Sequence, residues 1–155
     1  MAAMTCIVGL CSVPARSEAP PGVTSKVSAE VVDLTNVERT QNGHAPLRAN
    51  LRLMRAAQLQ AEQMVRAGQL AHVLPSAAYP RSVDRLAAVD YRWQAYGENV
   101  ALGQSSVAEV VDSWMHSRSH RTNILNPDFT ELGAGYALDE TGRPYYVQIF
   151  ARPRS

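Results

Sequence analysis

At 155 residues, with 46% hydrophobic and 19% charged residues, the chain suits one domain with a real core, which excludes wholesale disorder. A formal net charge of +1 gives no electrostatic pull toward nucleic acid, and 14 arginines against one lysine, Lys26, carry no phosphate-binding signal as composition alone. After the N-terminal run, no apolar stretch approaches the roughly 20 residues of a membrane span.

Met4 to Val13 is a short apolar run followed by Val13-Pro14-Ala15, whose small residues suit signal-peptidase cleavage after Ala15. The first arginine is Arg16, so the basic segment of a signal peptide is expected upstream of Met1. A lipid on Cys11 is disfavoured because Leu10 before it is too large for a lipobox. Cys6 and Cys11 are the only cysteines, so no disulfide, thiolate catalyst or Cys-ligated metal is available to the region after them. Pro14, Pro20, Pro21 and Gly22 mark a flexible leader. Residues 1–27 are thus expected to be a signal peptide and leader, and 28–155 the folded domain.

Ser28 is a plausible N-cap for a first helix over Ala29–Gln41, stopped by Asn42-Gly43. Asn50 caps a second, with Leu51, Met54, Ala57, Ala61 and Met64 at helical spacing and Gly68 at its end. Pro75 and Pro80 break the next stretch, and Ser82 starts a short helix through Ala88. Glu98–Leu102 reads as a strand between Gly97 and Gly103. Ser106 and Glu109 form a capping-box pattern before a helix with Val107, Val110, Val111 and Trp114 on one face. Leu132–Leu138 and Tyr145–Phe150 read as strands joined by an Asp139–Pro144 hairpin too short for a crossover. Four helices and three short strands make a mixed α+β domain with an antiparallel sheet.

The four histidines differ in setting. His44 follows a turn and His116 lies on a helix flank, both expected to be solvated. His72 and His120 sit among loop and helix-end residues, where either alone reads as structural. Two segments change that: Gly97-Glu98-Asn99-Val100, and Trp114-Met115 running through Ser117 and His120-Arg121 to Asn123-Ile124-Leu125. Together they resemble the CAP superfamily, the group of cysteine-rich secretory, antigen 5 and pathogenesis-related proteins, in its small bacterial secreted branch. Asn36–Gly43 with Pro46-Leu47, Ala57–His72, Leu132–Tyr136 and Tyr146–Phe150 extend the likeness to roughly Val31–Phe150.

The resemblance implies a three-layer α-β-α sandwich with a three-stranded antiparallel sheet. It also implies a cleft with two histidines and two acids. The histidines fall on His72 and His120, and one acid on Glu98. The second acid of many eukaryotic members falls on Ser117, so the set is incomplete. A zinc-like divalent cation between His72 and His120 is what the resemblance implies for a cofactor.

Two imidazoles and one carboxylate have three uses: a divalent metal site, an acid–base pair tuned near neutral pH, or a polar cluster that fixes loops. A Ser117–His120–Glu98 hydrolase is disfavoured, since no Gly-x-Ser-x-Gly elbow is present. Asn99, Arg121 and Asn123 are expected to tie the His120 segment to neighbouring backbone. Trp114 and Phe150 are expected in the core. Tyr91, Trp93 and Tyr96 cluster in a stretch before Glu98 that reads as a loop, lining a rim or covering the sheet edge. Three functions compete: a monomeric binding module outside the cell or in its envelope for a small molecule, lipid or wall component; a metal- or histidine-dependent hydrolase in the same cleft; and a structural domain with a vestigial cleft.

Overall fold

The computed structural model describes residues 21–154, and the two cysteines and the expected cleavage site lie outside them. The elements in chain order are α1 (Pro21–Gln41), β1 (Arg48–Ala49), α2 (Leu51–Ala67), α3 (Ser82–Ala88), β2 (Trp93–Leu102), α4 (Val107–His116), α5 (Arg118–Ile124), β3 (Glu131–Leu138) and β4 (Pro144–Pro153). Helix α1 starts eight residues before the expected Ala29, at Pro21. Proline is tolerated in a first helical turn, where its missing N–H has no intrahelical acceptor. Ser28 therefore lies buried inside α1 rather than capping it. The cap of α2 is as expected: the Asn50 side chain accepts from the amides of Arg52 and Leu53, and Gly68 closes the helix in the left-handed region. Ser106 caps α4 through the Glu109 amide at 3.1 Å, while the Glu109 carboxylate turns back to Ser105 rather than to Ser106.

The sheet is four-stranded and mixed, in the order β1-β3-β4-β2, which corrects the expected three strands. The three long strands are antiparallel, and β1 adds a two-residue parallel pairing to β3. Two residues show no periodicity. The amides of Arg48 and Asn50 make β1 a strand by reaching the carbonyls of Thr130 and Leu132, each at 3.0 Å.

Both faces of the sheet are covered, as a sandwich requires. Strand β4 sends Tyr145, Val147, Ile149 and Ala151 toward α2 and α3, and Tyr146 and Phe150 toward α1 and α4. The period of two thus divides one nearly continuous apolar run between two cores. Trp114 and Phe150 are buried as expected. Arg39 of α1, 2% exposed, fixes the end of α5 by donating to the carbonyls of Ile124 at 2.6 Å and Asn126 at 3.0 Å.

A histidine–glutamate site at the edge strand

Strand β2 lies at the sheet edge and begins at Trp93, so Trp93 and Tyr96 belong to a strand rather than to a loop. Their rings meet edge to face at 4.7 Å, and both stay about one third exposed. Tyr91 is buried, and its hydroxyl donates to the Glu131 carboxylate at 2.6 Å. Farther along β2, alternation points Glu98 and Asn99 to opposite faces. Glu98 shares the side of Val100, toward α2 and α3, and Asn99 the side of Ala101, toward α1 and α4. Two neighbouring residues thereby gather groups from both layers.

On the first side, Glu98 is 8% exposed and both its oxygens are engaged. Its Oε1 lies 3.0 Å from His72 Nδ1, in the segment leaving α2. Its Oε2 accepts from Arg85 at 2.6 Å. Arg85 of α3 is completely buried and also donates to the Tyr79 carbonyl at 3.1 Å and Ser82 Oγ at 3.0 Å. The sequence reading missed Arg85. Its place in a short helix gave no sign, because its acid partner is on another element.

On the second side, Asn99 donates to the His120 carbonyl at 3.2 Å and to Gln148 Oε1 at 3.0 Å. Gln148 donates in turn to Thr35 Oγ1 at 2.6 Å, so a buried polar chain runs from α5 through the sheet to α1. Asn123 donates to the Glu98 carbonyl at 3.2 Å and to Asn99 Oδ1 at 2.8 Å. Asn99 and Asn123 thus tie down the His120 segment as expected. Arg121 instead reaches the exposed side chain of Asn42. Gly97 is required where α5 packs on β2, since a Cβ there would stand 2.8 Å from Asn123 Oδ1.

The two imidazoles carry opposite perturbations. The hydrogen bond that His72 donates to the Glu98 carboxylate outweighs partial burial and raises the His72 pKa. Burial, aided by the nearby charge of His72, lowers that of His120. NMR titration of the ring protons should show His72 titrating above the ordinary 6.5 and His120 below it. Glu98→Gln should bring His72 down, and equal values for the two rings would contradict this geometry. The stabilising effect of His72 is complete below the unfolded value and is lost as pH rises through its raised one. That of His120 is present above the unfolded value and is lost as pH falls through its lowered one.

Ser117 joins α4 to α5, and its hydroxyl lies 3.4 Å from that of Ser119. Its side chain makes no hydrogen bond to His120 among the described residues. Nor do the described residues hold a group of three His, Cys, Asp or Glu side chains arranged for a metal ion. His116 is exposed as expected, whereas His44 is half-buried. Two hollows, of about 1290 Å³ and about 650 Å³, lie away from His72, Glu98 and His120.

The sequence pattern of the CAP family, described as the Cysteine-rich secretory protein family, matches residues 32–150. The chain belongs to the CAP family. It is 37% identical over 132 residues to the uncharacterized protein YkwD of Bacillus subtilis, a match covering 85% of this chain and 50% of that protein. It is 33% identical to the uncharacterized membrane protein YlbC of the same organism, covering 79% of this chain and 34% of that one. The chain therefore spans half or less of the length of these relatives. Among solved structures, an extracellular SCP-domain protein of Bacillus anthracis superposes with a TM-score of 0.76 at 26% identity, over 86% of this chain and 44% of that one. An outer surface protein of Borrelia burgdorferi shares the CAP fold, with a TM-score of 0.77 at 17% identity over 90% of this chain and 100% of that one.

Proposed function

We propose that this CAP domain is a secreted or cell-envelope binding module that takes a small lipid or wall component at the surface around His72 and His120. The observation that carries this reading is the full engagement of Glu98 by Arg85 and His72. The glutamate is spent on orienting an imidazole, so the site presents ring nitrogens rather than an open carboxylate. Leu70, Val73 and Tyr79, all more than a third exposed, add apolar surface to the segment that carries His72. The extracellular location named for the Bacillus anthracis protein supports placing this domain outside the cell. Among the described residues no helix is long and apolar enough to cross a membrane.

The alternative is a histidine-dependent hydrolase. The His72–Glu98 pair favours it, because a carboxylate on one ring nitrogen orients the other for proton transfer. The unassembled Ser117 weighs against it. A divalent cation would find two imidazole nitrogens, from His72 and His120, short of the three protein ligands of a catalytic zinc site. No chemical step is therefore assigned to a metal.

Calorimetry should accordingly find zinc weakly bound. Binding should be lost in His120→Ala, kept in His116→Ala, and weakened as pH falls through the raised His72 value, since a metal needs neutral rings. Tight zinc binding that survives loss of both histidines would remove His72 and His120 as ligands. NMR with laurate and muramyl dipeptide as probes tests the module itself. Shifts centred on His72, Val73 and His120 support binding, whereas cleavage of the dipeptide abolished by His72→Ala supports the hydrolase.

A further inference from the structure

The two hollows adjoin one another, sharing Asp90, Tyr91, Arg92 and Arg154. They lie where the start of β2 and the end of β4 meet the start of α2. The Arg154 amide donates to the Arg92 carbonyl at 3.0 Å, which brings those two residues together. The smaller hollow adds Arg48 and Arg52, separated from Arg92 and Arg154 by some 40 to 100 residues of sequence. Arg52 is held by the Asp90 carbonyl at 2.6 Å, and Arg48 by the buried Glu131 carboxylate. Arg92 and Arg154 have no ion-pair partner among the described residues.

We propose that this double hollow is a second binding site, distinct from the histidine site, and that its ligand is an acidic oligosaccharide. Three features select that chemistry. Arginine guanidiniums match carboxylate groups with paired, planar donors, and two of the four here are uncommitted. Trp93, a residue 38% exposed, lines the larger hollow and is braced edge-on by Tyr96, a surface suited to the apolar face of a sugar ring. The Asp90 carboxylate, on a side chain 84% exposed and 3.7 Å from Arg52, offers an acceptor to the hydroxyls that a sugar acid carries beside its carboxylates. The two parts, of about 1290 Å³ and about 650 Å³, open onto one another across Asp90, Tyr91, Arg92 and Arg154.

The test is calorimetry at low ionic strength with trigalacturonate and with its fully methyl-esterified, neutral form. Trigalacturonate should bind, and the ester should bind about tenfold more weakly, as should trigalacturonate to R92Q/R154Q, given the modest strength of exposed charge pairs. Trp93→Ala should weaken both sugars, and Arg66→Gln, on α2 away from the hollow, neither. Arg92 and Arg154 are exposed, so the double variant should keep the wild-type melting temperature. If it does not, Arg154→Gln alone, near the end of the described chain, makes the same comparison. Absence of trigalacturonate binding, equal binding of acid and ester, or binding unchanged in R92Q/R154Q would overturn the proposal. Loss of sugar binding in His72→Ala with retention in R92Q/R154Q would place the sugar in the histidine site and also overturn it.

Discussion

Gly135→Ala is expected to lower the stability of the domain by about 3 kcal/mol, a large share of what an ordinary domain has. Helix α2 lies directly on β3, and a Cβ built on Gly135 would stand only 2.5 Å from the Gln58 nitrogen and closer still to the Ala57 carbonyl carbon. Gly133 stands in the same relation to Leu53 and Met54. These are backbone atoms in the middle of a helix, so no rotamer change can make room. Relief requires lifting α2 from the sheet, which would open the core lined by Leu53, Ala57, Ala61, Val147 and Ile149. Urea unfolding measures the effect. An unfolding free energy within about 1 kcal/mol of the wild type would show that α2 can shift freely and that the close approach is not needed.

Arg85→Met should cost about 3–5 kcal/mol, because it leaves Glu98 buried with one partner instead of two. The arginine is fully enclosed, and the Ser82 hydroxyl loses its donor as well, while the Tyr79 carbonyl keeps only that from Gln63. The double variant R85M/E98Q should recover part of that loss, since it removes the stranded charge along with its partner. The His72 titration gives a readout that a simple packing defect would not move. Arg85 opposes protonation of His72 through its positive charge, so His72 should titrate higher in Arg85→Met than in the wild type. An unchanged His72 titration, or a double variant as unstable as the sum of the single ones, would mean that Arg85 acts through packing alone.

Much of this architecture is written locally. Helix α3 falls on the expected Ser82–Ala88, and the Asn50 and Gly68 ends of α2 and the hairpin after Leu138 follow from capping and turn chemistry. Each depends on residues close in sequence, so a single chain suffices to read them. The spaced residues around Glu98 and His120 likewise sufficed to relate the chain to the CAP family, which the match over residues 32–150 shows.

Other features depend on pairing between distant segments, and no local pattern announces them. Strand β1 exists because two backbone amides meet β3 across some eighty residues of sequence. Splitting Glu98 and Asn99 between two layers requires an edge strand with helices on both faces. The sequence supplied His72 and Glu98 as candidates, but not the buried Arg85 that occupies the other carboxylate oxygen. Nor could a bias toward arginine tell which four would converge on one hollow. Composition counts charges, whereas the field that a ligand meets depends on where the fold gathers them and which acids stand beside them.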